Sequence, residues 1–348
     1  MEKGLSYYAM GRGFCMAVLL FFLYACSSDV PSESPVEGNL LELSASKISV
    51  STRVDPAAMT SFAAETKYSI YAFLAGNTDL SKKLWTPNPR ECVESGGEID
   101  YYQGNPANKV SLGMKSVDFY GLTYNSTTDK ITEADYVLGN PMLIAIKAEA
   151  DGKVKDLMYS DNLKNCNSSQ GVLQMNFKHA TSKIKFKIYK QDESKYDSDK
   201  QYFKNATLKK IEVKTVTKAN FNVATGEWGD RSVSKDVVFF NNSSGVPLQT
   251  SIQPVDGEDL LIIPNGPSTK LAVTVILGNV TDGNGGAAAD KIVNHEISSD
   301  LEGTVMQFLP NHQYTLAIGV LREKGKIVIA FEPTVEPWKD IDIDLGES

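Results

Sequence analysis

The sequence is poor in the residues that carry out chemistry in enzymes. Its 348 residues include only three histidines and four cysteines, and no histidine lies near another in sequence. It has no glycine-rich phosphate loop, no Gly-x-Ser-x-Gly elbow and no His-Glu-x-x-His segment. We therefore expect a protein that is not an enzyme, with no catalytic residue, no metal site and no cofactor.

Blocks of like charge and long hydrophobic runs are also missing. The formal net charge is -8, and the basic and acidic residues are interspersed along the chain. No basic stripe is available for a phosphate backbone, so nucleic acid is excluded as an expected partner. The run from Phe14 to Ala25 has 12 apolar residues, whereas a membrane-spanning helix needs about 20.

This short run has the form of a bacterial export signal. Lys3 and Arg12 supply positive charge, and Leu23-Tyr24-Ala25-Cys26 resembles a lipobox, in which a small residue precedes the cysteine that receives the lipid. We predict a lipoprotein signal peptide over residues 1–25 and lipidation of Cys26, which would anchor the protein in the outer membrane. The alternative is an ordinary secretory signal with a cysteine there by chance.

Two cysteines, Cys92 and Cys166, remain in the mature chain. Two thiols in an oxidising compartment can pair, so they form a candidate disulfide. Nothing in the local sequence brings their Cα atoms within bridging distance, and neither has a second metal ligand at a usual spacing. The pairing therefore stays open.

After a Ser-, Pro- and Glu-rich tether that begins at Cys26, the chain has the pattern of short β-strands. Apolar residues alternate with polar ones in 173–179 and again in 183–190, which puts one face on a core and the lysines in water. Clusters of Gly, Asn, Asp and Pro separate such segments. The spacing predicts an all-β protein of antiparallel sandwiches. A polar stretch at 160–171 suggests an N-terminal sandwich over 54–170 and a C-terminal one over 171–348.

Several segments, in order, resemble the fimbrillin (type V pilin) family of Bacteroidales-type bacteria. Members carry a DLMYA-like segment and then an F-x-H-x-x-S-K-I strand. Here these are residues 156–160, with Ser160 in place of the usual Ala, and residues 177–184. Shorter similarities are Ser51-Thr52-Arg53, Val117-Asp118-Phe119-Tyr120, the segment from Asn311 to Leu316, and Trp338. The order of these motifs together with the lipobox carries the resemblance, which spans nearly the whole mature chain.

The resemblance implies two transthyretin-like antiparallel β-sandwiches and a structural or adhesive subunit of cell-surface fimbriae. Family members assemble with other fimbrial subunits by donor-strand exchange, in which a strand of one subunit completes the sheet of another. Arg53 matches the position cut by an Arg-specific protease, so residues 26–53 include the candidate removable strand. The candidate donor strand carries Ile341, Ile343 and Leu345, although their alternation equally suits a permanent last strand. A surface receptor on host or bacterial cells is a further expected partner.

Two other functions remain open at this stage. A surface glycan-binding lipoprotein would also consist of β-sandwiches, and Trp85, Trp228 and Trp338 could form a sugar platform. Tryptophans scattered singly are, however, more typical of a core. A secreted hydrolase could use two carboxylates far apart in sequence.

Overall fold

The computed structural model describes residues 47–55, 58–60, 62, 65–78, 84, 89–95, 98–100, 116–137, 140–167, 173–192, 202–257, 259–264, 271–281, 287–297, 308–323 and 326–337. The chain divides into two units, Met1–Glu37 and Gly38–Ser348, and all described residues belong to the second. Within them, no helix has the length and apolar character needed to span a bilayer. The predicted signal peptide, Cys26, Trp85, Trp338, Ile341, Ile343 and Leu345 lie outside the described residues.

The described residues confirm the all-β prediction, since they form strands and a single short 3-10 turn at Glu133–Asp135. In chain order the strands are β1 (Lys47–Asp55), β2 (Ala58–Thr60), β3 (Lys67–Leu74), β4 (Arg90–Ser95), β5 (Glu98–Asp100), β6 (Val117–Thr123), β7 (Tyr136–Val137), β8 (Asn140–Lys147), β9 (Met158–Cys166), β10 (Gln174–His179), β11 (Ser182–Lys190), β12 (Thr207–Asn222), β13 (Glu227–Pro247), β14 (Gln253–Pro254), β15 (Leu260–Ile262), β16 (Leu271–Val280), β17 (Ala289–Ile297), β18 (His312–Glu323) and β19 (Lys326–Pro337).

These strands form three sheets. Sheet one has the order β10-β9-β6-β3-β4-β5-β1-β2, and an additional pairing of β1 with β10 closes it into a ring. Sheet two has the order β17-β16-β12-β8-β7, with β13 on the other side of β12, and sheet three has the order β14-β11-β18-β19, with β15 beside β11. Most neighbours are antiparallel as predicted, but β1–β10 and β11–β18 are parallel. Both parallel pairs join strands that are distant in sequence, because a parallel pair needs a long crossover connection.

Three hydrophobic cores lie between and within these sheets. The first core is enclosed by the ring of sheet one and includes Tyr68, Phe119 and Phe177. The second lies between the outer face of sheet one and strands β8 and β12, and it includes Tyr71 and Phe221. The third packs sheet three against β12, β13 and β16. Strands β3 and β6 are buried along almost their whole length because both of their faces meet a core.

The alternation predicted for β10 is confirmed, because Met175 and Phe177 are buried while Gln174 and Asn176 are less buried. One lysine of β11 departs from the pattern. Lys183 is buried, and its Nζ lies 2.5 Å from Oδ2 of Asp259. A buried ammonium group needs such a partner, since an unpaired charge in a core is costly.

The predicted boundary at residue 171 does not coincide with a break between sheets. β10 follows that residue but pairs with β9, which precedes it. β8, from the N-terminal side, pairs with β12, from the C-terminal side. The division into sandwiches at 54–170 and 171–348 therefore stays a prediction.

A buried carboxylate braces the start of β6. Asp118 Oδ2 accepts a hydrogen bond from the backbone N–H of Gly76 at 2.8 Å, and its Oδ1 accepts one from Asn165 at 2.8 Å. Charge-assisted hydrogen bonds of this kind offset the cost of burying a carboxylate. Asp118 thereby joins the turn after β3 to the end of β9.

Gly121 in β6 leaves room for the β10 side chains in the first core. A Cβ atom at this position would lie 2.6 Å from Sδ of Met175 and 2.6 Å from Cζ of Phe177. Because the core is close-packed, neither neighbour can withdraw without strain. We predict that Gly121→Ala lowers the free energy of unfolding by about 1–3 kcal/mol, the usual cost of overpacking, as measured by urea denaturation.

Gly229 in β13 provides the matched control, since nothing lies within 4 Å of a Cβ built there. Gly229→Ala should leave stability unchanged or slightly raised. Equal losses for the two variants would show that the close approach of β10 to β6 does not constrain the core.

Candidate functional site

The candidate functional site is the strand β1 together with the part of sheet one that it covers. Residues 49–52 of β1 run parallel to residues 174–177 of β10. On its other side β1 pairs antiparallel with β5 through residues 47–49 and with β2 through residues 52–55. β1 is therefore the strand that closes the ring, and no other described strand pairs with that side of β10.

Apolar side chains lie directly beneath the edge of β10 that β1 covers. Met175 and Phe177 are both fully buried. The ring of Phe177 packs with Phe62 and Tyr68 at centroid distances of 5.4 and 5.3 Å. Each such aromatic pair adds about 0.5–1.5 kcal/mol beyond the burial of its area. The register aligns Val50 with Met175 and Thr52 with Phe177.

The other side of this part of β10 is held by one side chain. Nδ2 of Asn162 donates to the carbonyl oxygen of Gln174 at 2.8 Å, and its Oδ1 accepts from the N–H of Asn176 at 2.9 Å. The Asn162 amide thus substitutes for a neighbouring backbone, because β9 itself pairs with β10 only at positions 178 and 179. Ser160 donates to the same Oδ1 at 2.6 Å, so the serine that departs from the family pattern orients this amide. No pattern in the sequence predicts this role of Asn162.

Arg53 lies near the end of β1, opposite Met59 of β2, and the ladder shifts register between Arg53 and Asp55. A register shift of this kind interrupts the hydrogen-bond ladder locally. Two other arginines are held by the fold. Arg90 is buried within β4, and Nε of Arg231 donates to the carbonyl oxygen of Pro264 at 2.8 Å.

The segment from His179 to Ser182 connects the first sheet to the third, and the motifs that carry the family resemblance meet there. Nδ1 of His179, which is 1% exposed, lies 2.8 Å from Oδ1 of Asp156. The backbone N–H of His179 donates to Oδ1 of Asn311 at 3.2 Å, and the N–H of Asn311 donates to the carbonyl oxygen of Thr181 at 3.0 Å. Residues from three separate motifs therefore form one hydrogen-bonded junction, and His179 has a structural role there.

Trp228 belongs to the same junction. Its indole Nε1 donates to the carbonyl oxygen of Ala180 at 2.6 Å, and its ring packs on Phe221 at 5.0 Å. The side chain is buried in the second core. This confirms the expectation of a core residue, and a buried ring offers no platform to a sugar.

The candidate disulfide between Cys92 and Cys166 is not formed in the structure. Cys92 lies on β4 and Cys166 on β9, and the strands β3 and β6 stand between them. Adjacent strands are about 4.8 Å apart, so the Cα atoms exceed the ~7 Å limit for a bridge. Both side chains instead fill the first core.

The described residues contain no group of three or more His, Cys, Asp or Glu side chains placed to hold a metal ion. Instead, β1, the first described strand, covers backbone groups and buried apolar side chains of β10. Such a surface is suited to binding an extended segment of polypeptide.

Comparison with known proteins places the chain in a family. A family model described as fimbrillin-like matches residues 52–338. A search of curated proteins finds no match. Among solved structures, a fimbrial protein from Bacteroides vulgatus is 13% identical and aligns with 84% of this chain and 99% of its own at a TM-score of 0.54. A fimbrilin from Porphyromonas gingivalis is 10% identical, with 84% and 96% covered and a TM-score of 0.45.

The match covers most of the sequence, so the chain belongs to the fimbrillin-like family. This confirms the family predicted from the sequence motifs. The description of this family associates it with the fimbriae of the cell surface. The similarity to the fimbrial protein from Bacteroides vulgatus is a similarity of fold.

The partly buried pair of Asp156 and His179 at the junction predicts a stability effect. Asp156→Asn removes the negative charge beside His179 while keeping the side-chain volume. We expect the free energy of unfolding to fall by about 1–3 kcal/mol, because a partly buried hydrogen bond to a charged group is weakened. Glu91→Gln is the control, since its surface pair with Lys130, also at 2.8 Å, has both side chains nearly half exposed and should contribute about 0–1 kcal/mol. Equal losses would contradict a special role for the junction.

The two thiols predict slow labelling. Burial raises the pKa of the Cys166 thiol to about 11, so very little reactive thiolate is present at neutral pH. A chain that begins at Ser27 carries only these two cysteines. We expect iodoacetamide to label neither in the folded protein and both after unfolding without reductant, as counted by mass spectrometry. A species that stays unlabelled until it is reduced would instead reveal a disulfide.

Proposed function

We propose that this protein is a structural or adhesive fimbrial subunit, exported as an outer-membrane lipoprotein and assembled by donor-strand exchange after cleavage at Arg53. The carrying observation is the position of β1, which closes sheet one between β10 and β5. Cleavage after Arg53 would release the part of β1 that pairs with β10 and leave Val54 as the new N-terminus. The polymerisation and the processing rest on this topology and on family membership.

Loss of β1 would create an edge that cannot remain bare in water. The backbone groups of residues 174–177 would lose their ladder on that side. Met175 and Phe177 would lose their cover, and full burial of such a side chain contributes about 1.5–3 kcal/mol. An apolar, unpaired edge of this kind recruits another strand. The gap between β10 and β5 has the width of one strand, so a single extended segment would restore the ring.

The C-terminal segment is the proposed donor. β19 ends at Pro337, and the candidate donor residues follow it in the sequence. Ile341, Ile343 and Leu345 recur at every second position, which matches the spacing that an inward-facing strand needs to fill a groove.

Lipidation of Cys26 would hold the subunit at the outer membrane until assembly. The tether of residues 26–39, rich in Ser, Pro and Glu, lies between that cysteine and the first described strand in the sequence. If cleavage follows Arg53, the lipid leaves with the tether. Cleavage of one peptide bond would therefore convert the anchored form of the subunit into the released form.

The structure removes Trp228 from the tryptophans on which the glycan-binding alternative relied. Trp228 is buried and its indole nitrogen is engaged with a backbone carbonyl. No other feature of the described residues favours a sugar platform over an assembly surface. The fimbrial function is therefore the one that the geometry supports best.

Treatment with an Arg-specific protease tests the assembly proposal. We expect a product that begins at Val54 and polymers that resist SDS, seen as a ladder on a gel. Arg53→Gln should abolish both the new N-terminus and the ladder. Arg231→Gln is the matched control and should alter neither, since Arg231 is held by the carbonyl of Pro264. A ladder that forms without cleavage at Arg53, or a cleaved protein that stays monomeric, would contradict the proposal.

A further inference from the structure

Strand β9 turns away from β10 at the place where β1 covers the other side of β10. Between two of the pairs that β9 makes with β6, one residue of β6 lies opposite two residues of β9, Asp161 and Asn162. Such a bulge bends a strand, interrupts its pairing and redirects a side chain. The ladder between β9 and β10 is accordingly confined to residues 178 and 179 of β10.

The side chain of Asn162 occupies the place that the backbone of β9 leaves. Its Nδ2 donates to the carbonyl oxygen of Gln174 at 2.8 Å, and its Oδ1 accepts from the N–H of Asn176 at 2.9 Å. A primary amide presents a donor and an acceptor side by side, as a residue of a neighbouring strand does. Asn162 is exposed, so this bridge holds β10 without belonging to a core.

The two sides of this part of β10 are held through different residues. Successive residues of a strand direct their backbone N–H and C=O groups to opposite sides. Because Gln174 and Asn176 face Asn162, the backbone groups of Met175 and Phe177 face β1, and the parallel ladder with β1 spans these positions. A strand that covers β10 therefore bonds to the residues that alternate with those held by Asn162.

We propose that Asn162 is a positioning residue that keeps residues 174–177 of β10 extended while β1 is absent, a role that rests on the proposed strand exchange. With β1 in place, β10 is aligned by a backbone ladder, and the amide bridge adds little. When β1 leaves, that ladder is lost, and the amide still fixes the backbone at Gln174 and Asn176. The edge is then already ordered when the next strand arrives, which lowers the entropic cost of binding.

Ser160 orients the amide for this role. Its Oγ donates to Oδ1 of Asn162 at 2.6 Å, and the residue is 1% exposed. With the hydroxyl donating to Oδ1, the Nδ2 group is left to face the carbonyl oxygen of Gln174. Ser160 and Asn162 therefore act together on the backbone of β10.

Hydrogen exchange in the uncleaved chain tests the bridge without strand exchange. In Asn162→Ala the N–H of Asn176 loses its acceptor and should exchange roughly tenfold faster, as followed by NMR. Asn162→Asp keeps an oxygen acceptor and should leave this N–H protected. Asn220→Ala is the matched control, since Nδ2 of Asn220 makes an exposed hydrogen bond to Asp230 at 2.7 Å. The midpoint of urea denaturation should fall no further in Asn162→Ala than in this control.

Strand uptake is measured on the chain cleaved after Arg53 and freed of the released segment by gel filtration. The probe is a fluorescent peptide of residues 47–53, Lys-Ile-Ser-Val-Ser-Thr-Arg, because the pairing of this segment with β10 is part of the structure. We expect saturable binding by fluorescence anisotropy.

The variants should affect this binding in a graded way. Asn162→Ala should weaken it by about tenfold, the effect of losing hydrogen bonds of ordinary strength. Asn162→Asp should weaken it as well, because a carboxylate oxygen would face the carbonyl oxygen of Gln174. Ser160→Ala should have a smaller effect, and Asn220→Ala none.

Several results would overturn the proposal. The first is an N–H of Asn176 that exchanges equally slowly in Asn162→Ala and the wild type. The second is equal peptide binding by these two proteins, or an equal loss in Asn220→Ala. A destabilisation of uncleaved Asn162→Ala well beyond that of Asn220→Ala would make Asn162 a part of the general fold instead.

Failure of strand exchange itself would give a different pattern. The wild-type chain would then not be cleaved at Arg53, or would bind no peptide after cleavage, and the role of Asn162 in strand uptake would be lost with it. Normal uptake by the wild type together with unchanged uptake by Asn162→Ala would contradict the positioning role alone.

Discussion

The fold depends on the short crossing from His179 to Ser182, where the chain leaves the first sheet and enters the third. A crossing of this kind exposes backbone groups that no ladder satisfies, and each buried group left unpaired would cost about 1–3 kcal/mol. Here the N–H of Ala180 donates to the carbonyl oxygen of Leu157, the carbonyl of Ala180 accepts from Trp228, and Ser182 donates to the carbonyl of Leu309. The Asp156–His179 pair seals the same point. The separate sequence motifs that carry the family resemblance therefore largely come together at this one junction.

The β12–β13 hairpin extends across both the second and the third core. The first half of β12 pairs with β16 and places Ile211 and Val213 in the third core, whereas its second half pairs with β8 and places Phe221 in the second core. With 16 residues β12 is about 50 Å long, so one continuous ladder passes both cores. Because β8 and β10 lie on opposite sides of the predicted boundary from their partners, the two halves of the chain share hydrogen bonds as well as apolar contacts.

The sequence indicated the local features and could not indicate the distant ones. The alternation in β10 follows from one buried face, so it can be predicted from seven residues, and Trp228 is a core residue as scattered tryptophans tend to be. The parallel partner of β1, the pairing of β8 with β12 and the amide bridge of Asn162 are contacts between segments distant in sequence or made by one exposed side chain. Local periodicity carries no information on such contacts. The separation of Cys92 from Cys166 likewise depends on the order of strands in the sheet, which spacing along the chain does not fix.

The edge of β10 and the outer edge of β13, which pairs with β12 alone among the described strands, differ in a way that bears on their roles. The β10 edge has fully buried Met175 and Phe177 beneath it, so exposure of this edge would bring core side chains into contact with water. The β13 edge is interrupted by a bulge at Phe239, a feature that lets an edge face water without aggregation. An apolar edge favours an occupant that stays, since its loss would expose the core again. The two edges therefore differ in how strongly they need a partner strand: exposure of the β10 edge would bring core side chains into water, whereas the bulge at Phe239 already interrupts the β13 edge.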